Sequence, residues 1–211
     1  MRVWSYIYEM LPLALVALAV LFLCRGWRRR RLKARGLASG GGREVLLALF
    51  VAFCAGLAAL TLFPAGFWDL ATHLRYGGLW SGFRTWPEIV ARLELLPEML
   101  TPFQEITRAF QAGLDIQQFM LVGNIVMFVP LGFFPALLWR NWRWWKSALV
   151  GFCASFTIEF TQFFIGRFTD IDDVILNTTG ALVGYWLYRL FRRLWPESAR
   201  RCQVREVSPW T

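Results

Sequence analysis

Five stretches of the chain run nearly free of charge for long enough to cross a bilayer, separated by polar or basic segments. A helix needs roughly 20 apolar residues to span about 30 Å of hydrocarbon. The stretches are residues 4–24, 45–63, 119–139, 147–165 and 174–191. Each predicts a transmembrane helix, so the expected fold class is all-α, a multi-pass bundle of about five spans. Glu9 and Arg189 interrupt the first and last stretches near their ends, where long side chains reach the interface. The first stretch has no small-residue cleavage site and runs straight into Arg25 and residues 28–31. It therefore predicts an uncleaved anchor.

The connection at residues 64–118 is too long for a bare loop and predicts structure of its own. Pro87 suits the first position of a helix with Ile89, Val90, Leu93 and Leu96 on one face and an i,i+4 pair of Glu88 and Arg92. A second helix is expected with Thr101 and Gln104 at capping-box spacing, Pro102 in its first turn and Gly113 at its end. Both suit a membrane interface, as a cover for the bundle or a lid over a site.

Charge sets the expected orientation. Residues 25–44 carry eight Lys or Arg, residues 140–146 three and residues 189–211 six, out of 23 in the chain. The alternate connections hold few, Arg167 among them. The positive-inside rule then places the N-terminus outside and the C-terminus in the cytoplasm, with the 64–118 loop and the 166–173 turn outward. Trp142, Trp144 and Trp145 beside Lys146 predict an interfacial anchor on the basic side. The run from Ser39 to Gly42 reads as a flexible linker in a connection lying on anionic headgroups. Three units are expected: 1–44 as anchor and basic loop, 45–191 as the membrane domain, and 192–211 as a basic cytoplasmic tail.

Composition narrows the function classes. The chain is 57% hydrophobic, with mean hydropathy +0.44 and net charge +9. Its basic blocks sit beside apolar runs, so they point to membrane lipid as the partner and not to nucleic acid. Cys24, Cys54, Cys153 and Cys202 have no paired spacing, and His73 is the sole histidine. A disulfide framework and a His- or thiolate-based metal site are thereby excluded.

One constellation interrupts the apolar pattern. Ser155, Glu159 and Gln162 share a helix face in the fourth span, with Glu159 roughly 9 Å inside its end. A carboxylate at that depth must face the bundle interior, be protonated or find a partner. Asp173, Asn177, Gly180 and Gly184 repeat the spacing in the fifth span, and Gly180 to Gly184 forms a GxxxG face suited to close packing. The short turn makes the two spans an antiparallel pair, so that Glu159, Gln162, Asp173 and Asn177 meet at its outer end. Asn124 in the third span lies at a similar depth, and Pro130 is expected to kink that span. Asp170 and Asp172 suit a helix N-terminus, and each Asn could act as interhelical glue. Capping offers no account of Glu159.

Asn124-Ile-Val-Met-Phe128-Val-Pro130-Leu-Gly132, Glu159-x-x-Gln162, Arg167, Asp170-x-x-Asp173 and Asn177-x-x-Gly180-x-x-x-Gly184 together resemble the VanZ-like family of bacterial membrane proteins. The likeness covers residues 95–191. The family's Asn-Leu-x-Pro-Phe element would fall at residues 99–103, where Met99 replaces the Asn. The resemblance implies a multi-pass protein of the bacterial inner membrane, in a family named for a member linked to resistance against teicoplanin, a lipid-bearing glycopeptide.

Three functions compete on these residues. In the first, Glu159, Gln162, Arg167, Asp172, Asp173, Asn124 and Asn177 line an outward polar pocket for the head of an amphiphilic or lipid-linked envelope molecule, with no cofactor. The excess of acids suits an amine or hydroxyl-rich head. In the second, a membrane-embedded hydrolase or transferase uses Glu159 as acid/base and Asp172 and Asp173 as ligands to Mg²⁺ or Ca²⁺. In the third, Glu159 marks an ion path, although five spans without an internal repeat do not match a common carrier.

Overall fold

The computed structural model describes residues 3–64, 67, 83–111, 115–165 and 169–206. Within these residues the chain forms a bundle of five long helices with short helices at both ends. The long helices are α1 (Val3–Leu23), α3 (Gly41–Thr61), α7 (Asp115–Leu138), α8 (Trp144–Phe164) and α9 (Ile171–Leu194). Helix α2 (Arg25–Lys33) joins α1 to α3. Helices α4 (Trp86–Glu94), α5 (Leu96–Met99) and α6 (Gln104–Gln111) fall in the long connection, and α10 (Pro196–Arg201) follows α9. Two short strands, β1 (Leu37–Ala38) and β2 (Arg205–Glu206), pair antiparallel.

Among the described residues, four helical segments are long and apolar enough to cross a membrane: Tyr6–Leu23, Gly41–Thr61, Gln117–Leu138 and Trp144–Phe164. Helix α9 is long enough, at about 36 Å for its 24 residues, but more polar. Its polarity follows from its place. It buries Asp172, Asn177, Tyr185 and Tyr188 against its neighbours and leaves Trp186, Leu187 and Leu190 exposed. The outward faces of α1 and α8 are likewise apolar, with Leu15, Val16, Phe152, Phe156 and Phe160 exposed. The bundle is thus a membrane protein with its polar side chains turned inward.

The tightest contact joins α9 to α7. A Cβ on Gly180 would stand 2.1 Å from the carbonyl oxygen of Ile125, and one on Gly184 2.0 Å from that of Val129. From the other side, a Cβ on Gly132 would stand 1.7 Å from the carbonyl oxygen of Ala181. Paired advance of 125 with 180 and 129 with 184 makes the two helices parallel. The GxxxG face therefore closes α9 onto α7, where the sequence suggested the antiparallel neighbour α8. Helix α8 meets α9 through Gly151, whose Cβ would lie 2.6 Å from that of Ala181. Helix α7 continues through Pro130 and Pro135. Phe128 and Leu131 of α7 pack with Leu57 of α3 and Ile158 of α8 below the polar end. Helix α1 leans on α3, Met10 lying against Gly56.

Local rules place the remaining pieces. The glycine run is helix start and not flexible linker: Gly40 is the N-cap of α3, and Gly41 and Gly42 form its first turn. Arg43 is 6% exposed and donates from Nε to the carbonyl oxygen of Leu138 at 3.4 Å, tying α3 to the end of α7. Glu44 pairs with Arg28 at 2.7 Å, holding α2 to the same corner. Beyond α9 the chain stays folded. Ala199 of α10 packs with Ala136, Leu137, Tyr185 and Tyr188.

In the long connection, α4 begins with a capping box. Thr85 donates its N–H to Glu88 at 2.7 Å, so Glu88 serves the cap and not the expected pair with Arg92. The second helix starts at Gln104, and Phe103 precedes it at φ 64°. Pro102 therefore stands outside the helix it was expected to open. Gly113, its expected end, lies outside the described residues.

Any side chain at the α7–α9 contact must push two backbones apart, at a cost of about 1–3 kcal/mol. Gly132→Ala and Gly184→Ala should each lower the thermal midpoint of the purified protein in detergent. Gly123→Ala, with open space at its Cβ, should leave it within error of wild type.

Candidate functional site

The acidic constellation gathers where α8 ends and α9 begins. Asp170 is the N-cap of α9, accepting the N–H of Asp172 at 2.9 Å. Burial pushes its carboxyl above the ordinary Asp range, as do the charges of Asp172 and Glu105, against the cap hydrogen bond. The N–H of Asp170 in turn donates to Oε2 of Glu159 at 3.1 Å, and the Thr169 hydroxyl donates to the Glu159 carbonyl at 3.4 Å. Glu159 is 6% exposed. The mid-span acid thus has a backbone partner that helical periodicity alone did not reveal, because the chain folds back on it from the connection. Arg167, expected to line the same pocket, lies outside the described residues.

The described cation whose charge acts on Glu159 is Arg92. It is 7% exposed, and its guanidinium carbon sits 5.8 Å from the centroid of the Phe163 ring. Burial, then the charge of Arg84, hold it below the usual Arg range, while the charge of Glu159 acts in the opposite sense. Helix α4 therefore turns Ile89 and Arg92 inward, with Leu96 following at the start of α5, and leaves Val90 and Leu93 exposed. The single apolar face expected from spacing is split, because in a membrane protein apolar positions meet lipid and the polar position meets the bundle. The backbone N–H of Arg84 donates to the Phe164 carbonyl at 2.8 Å, pinning this segment to the end of α8.

Asp172 is 1% exposed and serves another helix. Its Oδ1 accepts the N–H of Phe103, and its Oδ2 accepts those of Glu105 at 2.9 Å and Ile106 at 3.1 Å. These donors open α6, which has no intrahelical acceptor for them. Asp172 is thus a cap supplied from α9 to α6, and it fastens the connection to the bundle.

A third group lies between α7, α8 and α9. Asn124 donates from Nδ2 to Oδ1 of Asp173. Asn177 donates from Nδ2 to the Ser155 hydroxyl at 2.8 Å, and Ser155 donates to the Asp173 carbonyl at 3.5 Å. Ser155 is fully buried and Asn177 is 5% exposed, and Oδ1 of Asn177 has no hydrogen-bond partner. Gln162 is half-buried, and no described hydrogen bond joins its side chain to these groups. The expected residues therefore divide into a Glu159–Asp170 corner, the Asp172 cap and an Asn124–Asp173–Ser155–Asn177 seam.

Two cavities adjoin this region. One, of about 570 Å³, has the charged and amide side chains Glu98, Gln104, Glu105, Arg108, Gln117 and Asp170 in its wall, with Leu95 and Met99. Arg108 pairs there with Glu105 at 2.7 Å. The second, of about 340 Å³, is apolar and has Phe156, Phe160, Phe163 and Phe164 in its wall, with Glu159. Met99, Thr169 and Asp170 border both. Phe152, Phe156, Phe160 and Phe164 follow one another up α8 at centroid distances of 6.1, 6.4 and 5.3 Å, a ridge leading into the apolar cavity. The sequence showed these phenylalanines only as part of a span, although their i,i+4 spacing was there to read.

Among the described residues, no group of three or more His, Cys, Asp or Glu is placed to hold a metal ion. Both oxygens of Asp172 already accept backbone N–H groups. The VanZ/LLP1 family model matches residues 50–192. No curated protein and no solved structure matches the chain.

Removing the Asp172 carboxylate strands three donors, at about 1–3 kcal/mol for each one left buried. Asp172→Ala should speed amide exchange at Phe103, Glu105 and Ile106 while α9 stays protected. Unchanged exchange at those three amides would show that the cap carries no weight.

Proposed function

The chain belongs to the VanZ/LLP1 family of membrane proteins, and from that premise we propose that it binds an amphiphilic envelope molecule, head in the polar cavity and chain in the phenylalanine cleft. The observation that carries this reading is the pair of adjoining cavities, one with acids, amides and an arginine in its wall and one aromatic, with Thr169 and Asp170 at their border. An amphiphile needs both halves at once. A purely polar ligand would leave the cleft empty, and a purely apolar one would leave Glu98, Glu105 and Asp170 unused. The head cavity holds three acids against one Arg, which favours an amine or a hydroxyl-rich sugar over a phosphate. Along the phenylalanine ridge an acyl chain enters sideways from the bilayer. Arg92 opposes the charge of Glu159 beside the cleft, where Leu93 of α4 stands in the wall.

In this reading the acidic end faces the cell exterior and the basic end the cytoplasm of a bacterium, as the charge asymmetry favours. A lipid-bearing glycopeptide of the teicoplanin type combines a sugar- and amine-bearing head with an acyl chain, so resistance to it is the physiological outcome the site suits. The hydrolase alternative would need Asp172 as a cation ligand. That would require it to release the α6 amides it caps.

The test compares a strain producing the protein with one that does not, under an acylated glycopeptide and the same core without the chain. Protection is expected only against the acylated compound. Glu159→Gln and Phe160→Ala should each remove most of it at equal membrane levels, with an acylated-amine probe bound about fivefold or more weaker in nanodiscs. Full protection by both variants would sink the proposal.

The raised Asp170 carboxyl adds a pH signature. Protonation removes a negative charge from the head cavity, so a quaternary-ammonium probe should weaken as pH falls toward the ordinary Asp value of about 4. The loss should begin above that value, because the folded-state pKa is raised. A neutral sugar-headed probe should show no such trend, and equal pH dependence of both would remove Asp170 from the head site.

A further inference from the structure

A separate cavity lies at the opposite end of the bundle, with a volume of about 430 Å³. It opens between the α7–α8 connection, the last turn of α9 and helix α10. Arg140, Arg192 and Arg200 line it, together with Trp142, Tyr188 and Gln203. No acid is among its described lining residues. Glu206 of β2, which is not a lining residue, pairs with Arg140 at 2.7 Å and so fixes that guanidinium. Glu197 lies nearest to Arg201, at 3.9 Å, which does not line the cavity. Among the described residues, Arg192 and Arg200 make no ion pair.

The hollow has a buried inner wall, while Arg140, Arg192 and Arg200 stand exposed at its rim. Ala199 is 2% exposed and anchors α10 on Tyr185 and Tyr188, which sets Arg200 opposite Arg192. Tyr188 is 3% exposed, and its hydroxyl accepts Nε2 of Gln203 at 3.4 Å, forming a polar wall. Asn141, at φ 59°, makes the turn that sets Arg140 and Trp142 on the same rim. Arg192 and Arg200 repel one another across the hollow unless an anion sits between them, and Arg140, already paired with Glu206, adds a third guanidinium at the rim. Their planar forks match phosphate oxygens in pairs. Trp139, Trp142 and Trp195 lie at the same end and mark the interface, the depth of lipid phosphates.

We propose that this cavity is a phosphate-binding site, taking either the phosphodiester of an anionic phospholipid or a phosphate ester from solution between Arg140, Arg192 and Arg200. It is independent of the acidic-end site, with which it shares no residue.

The test uses the full-length protein in nanodiscs of phosphatidylcholine alone or with added phosphatidylglycerol. Inorganic pyrophosphate is titrated by calorimetry into the former, and native mass spectrometry reads retained phosphatidylglycerol from the latter. Saturable pyrophosphate binding in neutral discs identifies a solution ligand. Retained phosphatidylglycerol that pyrophosphate does not displace identifies a lipid headgroup. In either case R192Q with R200Q should weaken the interaction by about tenfold or more, while R29Q with R30Q on α2 should not. R192K with R200K, which keeps the charge and loses the fork, should fall between, and it serves in place of the Gln pair if that pair lowers the thermal midpoint. The proposal is overturned if wild type binds neither probe, if the cavity variants bind as wild type, or if the α2 variant weakens binding equally.

Discussion

The close approach of α7 and α9 is the contact on which the rest of the molecule depends. Between helices in lipid there is little hydrophobic gain, because acyl chains are as apolar as leucine. Association then rests on van der Waals contact and hydrogen bonds. Gly132, Gly180 and Gly184 let backbone touch backbone over two turns. Once α9 is held there, its sides are enclosed by α7 and α8, and it can carry Asp172, Asn177, Tyr185 and Tyr188 where a lipid-facing helix could not. Ser155 and Asn124 find their partners only because α9 brings Asp173 and Asn177 to them.

The head cavity depends on the same helix. Its floor is Thr169 and Asp170, at the start of α9, and its roof is the α5–α6 segment, which α9 holds through Asp172. One carboxylate thus converts a long connection into a wall of fixed geometry. Glu159 does the parallel task on the other side, accepting the N–H of Asp170 and steadying the turn into α9. Two acids that looked like ligand groups in the sequence therefore also hold the walls of the site in place. Asp170, Glu98 and Glu105 are left facing the open volume.

Period and polarity made the helical bundle legible, and the motif spacings made the family legible. Residues that bond within one helix or turn could also be read, as with Asp170 at the start of α9. The misreadings share one cause, which is that tertiary partners are invisible to local spacing. Gly180 and Gly184 announced a close contact, but the short turn pointed to α8 as its partner where α7 makes it. Arg92 looked like a partner for Glu88 four residues away; the Thr85–Glu88 capping box was there to read in the local spacing, but the inward turn of Arg92 was not. Asp172 fitted a first-turn acid of its own helix, yet its acceptors are spent on α6, 66 to 69 residues away in sequence. The arginine hollow at the other end was hidden more deeply, because Arg140, Arg192 and Arg200 belong to three segments that each read as ordinary basic flanks.

The same packing bears on transport. A carrier must move polar groups past one another or open a path between the two ends. Below the Asn177–Ser155 seam, Leu57, Phe128, Leu131 and Ile158 close the bundle with apolar side chains, and Phe128 is 1% exposed. Sliding α9 along α7 would drive Ala181 and the carbonyls of Ile125 and Val129 out of their glycine notches. The acids at the start of α9 and the arginines at its end also suit the two poles of its helix dipole, so reversing their environments would oppose the field of the helix itself. A molecule held this way carries a cavity with acids in its wall and a cavity with arginines in its wall at the two ends of one helix, and the two proposed sites rest on that polarity.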